Sequence, residues 1–280
     1  MIHQAPVSAD WSMTDQEFDQ LRRTIYAYSG IVIGPEKRSM IRARLQRRLK
    51  ALQLTSLASY LRLVGGRAGN AERELFISSL TTNVTSFFRE RHHFKLMTET
   101  IIPARKPGGD RFQVWSAGCS SGQEPYSIAI SILEKWPEMA GQTRILASDI
   151  DAGILSRARA ACYKPAELSG LSPELASRYL HPAPGGGRAE DREFCRNVTR
   201  MVEFRQINLN SGWNLPPQFD VIFCRNVAIY FDPDTQKSLW RRFHGVLRPG
   251  GWLLIGHSER VPAELHNLLQ PGGITAYRKI

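Results

Sequence analysis

The segment FQVWSAGCSSGQEPYSIAI, Phe112 to Ile130, decides how the rest of the chain is read. Phe112-Gln113-Val114-Trp115 has the bulk of a short buried strand. It empties into Ser116-Ala117-Gly118-Cys119-Ser120-Ser121-Gly122, a turn of small residues. Pro125 then stands near the first turn of a helix filled by Ile128, Ile130, Ile132 and Leu133. Downstream, Arg144-Ile145-Leu146-Ala147-Ser148 makes a second strand closed by Asp149, and Asp151 caps a helix through Ala161. Strand, helix, strand, helix at these lengths predicts the parallel sheet of an α/β fold. The rhythm breaks over 163–200, where Pro165, Pro173, Pro182, Pro184 and Gly185-Gly186-Gly187 mark an insertion. A short helix, Pro173 to Tyr179, and a small hairpin or meander are expected there. Strands resume at Val202–Ile207 and Phe219–Cys224, and Pro233 opens a helix ending near Leu247. Pro249-Gly250-Gly251 turns into a strand from Trp252 to Gly256, and Ile274–Arg278 closes the sheet.

Upstream, to about residue 90, the pattern is helical. Thr14-Asp15-Gln16-Glu17 has the form of a capping box, with Phe18, Leu21, Ile25 and Tyr26 following at helical spacing. Lys37 to Lys50 carries seven basic residues and no acidic one. Ile41, Leu45, Leu49 and Leu52 fall on one stripe of that helix, leaving Lys37, Arg44, Arg47, Arg48 and Lys50 to project from the other side. Charges of one sign at this spacing repel each other, which favours a binding face over an idle solvated one.

Across 280 residues, 42% hydrophobic and 22% charged, the composition is that of a soluble globular protein with one large core or two modest ones. No run approaches the roughly 18 apolar residues of a membrane span. Met1–Ser12 lacks the basic-then-apolar pattern of a secretory signal, so a cytoplasmic location is expected. Cys119, Cys162, Cys195 and Cys224 form no C-x-x-C pair; neither a disulfide framework nor a metal is expected. A net charge of +11 and a pI of about 9.8 point to an acidic partner: nucleic acid, an anionic membrane face or an acidic protein surface.

A glycine-bearing turn after the first strand of such a sheet aims backbone N–H groups at a ligand, and an acid ending the second strand can accept from both ribose hydroxyls. Gly118, Gly122 and Asp149 occupy those places. The same features serve a dinucleotide, but the glycines are spaced G-x-x-x-G rather than G-x-G-x-x-G. Glu124 also stands where a pyrophosphate would want a free helix N-terminus. A carboxylate there suits a cationic ligand, which favours a sulfonium-bearing nucleoside.

The strings TTNVTSFFRE (Thr81–Glu90), WSAGCSSGQEPYSIAI (Trp115–Ile130) and IFCRNVAIYF (Ile222–Phe231) narrow the reading sharply. With ASDID (Ala147–Asp151) and the basic helix, they resemble the chemotaxis receptor glutamate methyltransferase family, commonly called CheR, in order from about Asp15 to the C-terminus. The resemblance implies a Rossmann-like S-adenosylmethionine-dependent methyltransferase domain over 89–280. A helical N-terminal domain and linker over 1–88 and a small antiparallel β insertion at about 163–200 complete it. It implies O-methylation of receptor glutamates, with S-adenosyl-L-homocysteine as the other product. Asn83, Thr85 and Arg89 would contact the cofactor, together with Gly118. Glu124 would hold the methionine amino end and Asp149 the ribose, while Asn208 and Leu209 would flank the adenine. Arg225 and Asn226 would line the site after the fourth strand. Arg89 and Tyr230 would stand at the transferred methyl as the catalytic pair.

Arg44, Arg47, Arg48 and Lys50 would meet the acidic helical bundle of a chemoreceptor's cytoplasmic part. A receptor C-terminal peptide could add as a strand to the β insertion. Nucleic acid, membrane insertion and self-association are not expected. Two rivals stand beside this: a cofactor-binding signalling module without turnover, and a nucleic-acid methyltransferase. The second is weakened by Val227 and Ala228 where base methyltransferases carry Pro-Pro, and by the lack of stacking aromatics in the basic helix. Plain structural readings also exist. Asn83 and Thr85 could cap a helix, Asp149 could cap the one near Asp151, and Tyr230 with Phe231 could be core aromatics. His92, His93, Cys119 and Cys224 read as structural, and His257 has no assigned role.

Overall fold

A computed structural model describes residues 11, 13–66, 69–105, 110–183, 189–215 and 218–280. The chain opens with α1 (Asp15–Ser29), α2 (Arg38–Ala51), α3 (Leu57–Gly65) and α4 (Asn70–Leu80). The capping box forms as expected: Thr14 Oγ1 accepts from the Glu17 N–H while Glu17 accepts from the Thr14 N–H. Phe18, Leu21 and Ile25 pack inward against Ile41, Leu45 and Leu49 of α2 and against Leu57, Tyr60 and Phe76. Tyr26 departs from its expected stripe. It faces outward, where its hydroxyl donates to Asp232 at 3.0 Å.

A short helix α5 (His92–Leu96) leads into β1 (Phe112–Ala117), α6 (Gln123–Lys135), β2 (Thr143–Asp149) and α7 (Ala152–Ala160). Asp151 is the N-cap of α7, accepting from the Gly153 and Ile154 N–H groups. In the insertion, β3 (Cys162–Tyr163), α8 (Pro173–Tyr179), β4 (Leu180–Pro182) and β5 (Arg192–Phe194) give a three-stranded antiparallel sheet in the order β3-β5-β4. The Pro184-Gly185-Gly186-Gly187 loop lies outside the described residues. The chain returns through α9 (Arg196–Thr199), β6 (Val202–Gln206), β7 (Phe219–Cys224), α10 (Pro233–Val246), β8 (Leu247–Ile255), β9 (Leu269–Gly273) and β10 (Ala276–Lys279).

The main sheet runs β6-β2-β1-β7-β8-β10-β9. The first five of these strands are parallel, and β10 and β9 are antiparallel additions at the edge. Two expectations shift here. β8 starts at Leu247, five residues early, with Gly250 at φ +74° and a register irregularity opposite Phe219–Val221. β9, over Leu269–Gly273, is an addition to the expected elements, and the strand expected at Ile274–Arg278 runs over Ala276–Lys279. An edge strand tolerates proline and glycine because one of its sides makes no ladder. Trp115 belongs to one of the buried clusters that pack on the sheet; its ring lies 5.2–5.3 Å from Trp213, Phe219 and Phe243, and its indole N–H donates to Ser148.

The helical layer is tied to the sheet's carboxyl edge. The Val32 N–H donates to the Tyr230 carbonyl, and Asn208 donates to the Tyr28 carbonyl at 2.7 Å. Gly30, at φ +74°, sits so close to Asn210 that an added Cβ would lie 2.6 Å from its side chain. The chain from α1 to α2 therefore lies directly over the sheet edge where ligands bind in open α/β folds.

Candidate active site

Leaving β1 the chain runs toward β2, and after β6 it crosses back to β7 on the other side of β1. The switch between these directions opens a crevice at the carboxyl ends of the strands. A cleft of about 1150 Å³, its open mouth included, occupies this place. Gly118 follows β1, Asp149 ends β2, Asn208 and Leu209 follow β6, and Arg225 and Asn226 follow β7. All of these line the cleft, as do Asn83, Thr85, Arg89, Glu124 and Tyr230. The fold thus gathers on one wall system every residue named above for the cofactor and the reacting methyl. Arg44, Arg47, Arg48 and Lys50 lie elsewhere.

Asp149 is buried, and each of its oxygens is held by a backbone donor: Oδ2 by the Ser120 N–H at 2.9 Å, Oδ1 by the Asp151 N–H at 3.1 Å. It is not a helix cap. Those two bonds fix the carboxylate's plane and leave outer lone pairs for further donors. Burial pushes its pKa up, against the pull of these N–H groups. Asn83 caps no helix end directly but donates to the capping Asp151 at 3.1 Å, and its carbonyl accepts from Ser120 Oγ.

Gly118 serves differently from the expectation. Its N–H and that of Cys119 both donate to the Ser148 carbonyl, at 2.7 and 2.8 Å, so neither is left for a ligand. The glycine is required because φ is +87° and because an added Cβ would lie 2.3 Å from Val227 Cγ2. The turn is a close crossing of the loops after β1 and β7, and only hydrogen at Cα fits there.

Glu124 accepts from Ser116 Oγ at 2.7 Å and from Arg225 at 3.1 Å. Burial raises its pKa while Arg225 opposes the shift. Arg225 is itself buried, lies 5.6 Å over the Phe94 ring, donates to the Arg89 carbonyl and pairs with Glu90 at 3.3 Å. Burial works to raise the Glu90 pKa, but Arg225 and His257 outweigh it and hold the carboxyl below its usual range. His93 is fully buried behind Glu90. Burial, with Arg225 adding repulsion, depresses its pKa to about 3, so the ring is neutral. Its Nε2 stands 3.0 Å from Thr275 Oγ1 and 3.3 Å from the Ile274 carbonyl. Glu90, His92 and His93 bring their ligand atoms within 4.8 Å of one another, close enough for a metal ion. The Arg225 guanidinium already stands against Glu90, however, and a second cation beside it would be repelled.

Three participants escape the sequence reading. Glu90 pairs with Arg225 and His257. Lys37 lines the cleft with Nζ 5.2 Å over the Tyr230 ring, although it had been placed on the outer basic face. Buried Glu259 accepts from the N–H groups of Gly256 (2.6 Å), Val227 (2.9 Å), Asn226 (3.0 Å) and Ile229 (3.3 Å). It staples the loop that presents Tyr230 and holds Asn226 at φ +60°. The only signal available was an acid shortly after a strand, in IGHSE, which has too many ordinary explanations.

On α2, Arg44 donates to the Ser79 and Thr81 carbonyls at the end of α4. Arg48 makes a two-pronged pair with buried Glu72, which also accepts from the Tyr60 hydroxyl at 2.7 Å. Arg47 and Lys50 are exposed.

The chain matches the model for "CheR methyltransferase, SAM binding domain" over residues 83–277 and that for "CheR methyltransferase, all-alpha domain" over 16–81. A probable chemotaxis protein methyltransferase of Rhizobium etli is 42% identical over 258 residues, 91% of this chain and 96% of that protein. The chemotaxis protein methyltransferase of Salmonella typhimurium is 42% identical over 249 residues, 89% of this chain and 85% of the other. Chemotaxis protein methyltransferase 2 of Pseudomonas aeruginosa is 39% identical over 274 residues, 96% of this chain and 94% of the other.

Proposed function

The chain belongs to the CheR methyltransferase family, and we propose that it methylates glutamate side chains of chemoreceptors to their methyl esters, using S-adenosylmethionine. One observation carries the residue-level reading: side chains from Asn83 to Tyr230, scattered along the sequence, meet in the single crevice where the strand order reverses. The donor set fits the cofactor. Asp149 offers acceptor positions to ribose hydroxyls, Ile207 and Leu209 supply an apolar wall for a base, and Glu124 offers carboxylate charge to an amino group. When bound, the cofactor supplies a methyl on a cationic sulfur, which passes to a carboxylate oxygen to leave a neutral ester and a neutral thioether.

A glutamate carboxylate, with an ordinary pKa near 4.3, is already an anion at neutral pH and needs no general base. That accounts for the lack of a nucleophile–histidine pair among the described residues that line the cleft. The work left to the protein is orientation, which can lower a barrier by roughly 7–11 kcal/mol, and the exclusion of water. Arg89 and Tyr230 orient the incoming carboxylate. Arg89 is held loosely, its contact to the Val84 carbonyl being 3.4 Å. That looseness suits the task, since a tight ground-state ion pair would raise the barrier. Arg225, saturated by Glu90, Glu124 and the Arg89 carbonyl, fixes the geometry of the wall rather than meeting the substrate. Among the described residues no helix is long and apolar enough to cross a membrane.

The test is a receptor cytoplasmic fragment incubated with the protein and cofactor labelled in the methyl group. Base-labile label on the fragment is expected, with Arg89→Ala and Tyr230→Phe losing most of it. If neither S-adenosylmethionine nor S-adenosylhomocysteine binds in calorimetry, the methyltransferase reading is abandoned; label stable to base would overturn the ester.

A further inference from the structure

Among the described residues the Arg89 guanidinium is held by a single long contact, to the Val84 carbonyl at 3.4 Å. Its direction must therefore come from its own main chain, and that main chain is unusual. Phe88 at φ +53° and Glu90 at φ +54° flank it, both in the left-handed region. Residues with bulky side chains stay in that region only where their surroundings hold them. The holds are visible on both sides. The Phe88 N–H donates to Ser127 Oγ at 3.0 Å, and its ring packs edge-on against Phe94 at 5.4 Å. Glu90 Oε1 accepts from the His257 N–H at 3.3 Å and stands 3.1 Å from His257 Nδ1. Glu90 Oε2 accepts from Arg225 Nε at 3.3 Å. The same guanidinium donates to the Arg89 carbonyl and, at 3.1 Å, to Glu124. Arg89 lines the cleft, and Glu90 is not among the described residues that line it.

We propose that Glu90 is a positioning residue for methyl transfer: through Arg225 it clamps the Arg89 carbonyl and so aims the Arg89 guanidinium at the incoming carboxylate. This rests on the reading of Arg89 as the residue that orients the substrate. The bonds close a ring through the Glu90 carboxylate, the Arg225 guanidinium, the Arg89 carbonyl and the peptide that joins Arg89 to Glu90. That peptide is oriented by ψ of Arg89 and φ of Glu90, so a carbonyl pinned at Arg225 fixes both torsions at once. Rotating the peptide would break the bond to Arg225, and drawing Arg225 away would release the peptide. Charge sets where Arg225 rests. Held between two anions, it stays within reach of the carbonyl; left with Glu124 alone, it moves toward that side and frees the turn. Glu124 keeps its cation in either case, so the cofactor end of the cleft is spared. The design separates two needs. The base of the Arg89 side chain is fixed, while its guanidinium stays loose enough to follow a carboxylate that loses its charge during the reaction.

The test compares Glu90→Ala, Glu90→Gln, Arg89→Ala and the double variant Arg89→Ala with Glu90→Ala, all in the full chain. Each is checked by thermal melting and by calorimetric affinity for S-adenosylhomocysteine, then assayed with S-adenosylmethionine on a soluble receptor cytoplasmic fragment. Glu90→Ala should lower kcat by about 10- to 100-fold, as a misplaced orienting group does, with affinity for S-adenosylhomocysteine unchanged. Glu90→Gln keeps an acceptor oxygen for Arg225 and should recover part of that loss; it replaces the alanine in the double variant if Glu90→Ala does not fold. The double variant should show the kcat of Arg89→Ala alone, because a residue acting through Arg89 then has nothing left to aim. Losses that multiply in the double variant overturn the proposal. So does a parental kcat in both Glu90 variants, or a fall in kcat that weaker cofactor binding accounts for. Arg89→Ala with parental turnover, or a parent that binds the cofactor and labels no fragment, overturns the underlying reading and the positioning with it, which separates that failure from the others.

Discussion

The cleft and the basic face of α2 both carry charge, and they hold it in opposite ways. In the cleft, Arg225 is buried and shared between Glu90, Glu124 and the Arg89 carbonyl, and Asp149 is clamped by two backbone N–H groups. On α2, Arg47 and Lys50 stand in solvent, while Arg44 and Arg48 turn back onto α4. Buried, saturated charges fix geometry, and removing one partner leaves another stranded. Exposed charges are screened within about 8–10 Å and contribute mostly to encounter.

The sharpest way to break this contrast is Arg225→Met. It removes the cation that Glu90 and Glu124 share, leaving them only neutral donors or His257, so a stability loss of about 3–5 kcal/mol in urea unfolding is expected, with cofactor binding lost as well. A small effect would mean that the cleft's charges are no more organised than those of α2.

Next in size is Arg48→Met, which removes the two-pronged partner of Glu72 and leaves it the Tyr60 hydroxyl. A loss of about 2–3 kcal/mol is expected because Glu72 is buried and Arg48 is partly exposed, with unchanged affinity for S-adenosylhomocysteine. Loss of receptor methylation without loss of stability would instead return Arg48 to the docking face.

His93 sharpens the comparison through pH. Its pKa is about 3 in the folded protein, against about 6.5 when exposed. Above about 6.5 both states are neutral and its contribution is constant. Below that the unfolded chain takes a proton the folded one refuses, so stability falls as pH falls toward 3. The expected loss from pH 7 to 5 is about 2 kcal/mol. His93→Gln, which keeps a donor for the Ile274 carbonyl, should flatten this slope relative to the parent in paired urea titrations. No exposed residue of α2 should do so.

The smallest effect belongs to Arg47→Glu with Lys50→Glu. Stability and cofactor affinity should stay within error. Receptor methylation at limiting substrate should fall severalfold at low salt and recover toward the parental rate near 0.5 M salt, as screened long-range pairs do. A loss that persists at high salt would show a contact rather than steering.

Much of the site was legible because βαβ order places strand ends together. Once Gly118 follows the first strand and Asp149 ends the second, topology brings them to one edge whatever their distance in sequence. Glu259 and Glu90 were not legible. Each acts by accepting bonds from atoms far away in the chain, and a carboxylate looks the same in sequence whether it staples a buried loop or faces water. Lys37 was misplaced for a related reason: helical spacing assigned it to the outer face of α2, but the chain turns at Gly34 and Pro35 and lays it over Tyr230.

The sequence by itself determined the alternation of elements, the capping of α1 and α7, the buried stripe of α2 and the identity of the residues at the strand ends. These follow from local rules of periodicity, capping and turn chemistry that act over a few residues. Only the tertiary structure decided which arginines of α2 are spent internally, that Gly118 serves a close crossing rather than donating an N–H, and that Lys37 lies over the Tyr230 ring. Those outcomes depend on what lies across from each residue when the helical layer settles on the sheet edge, and no local pattern carries that information.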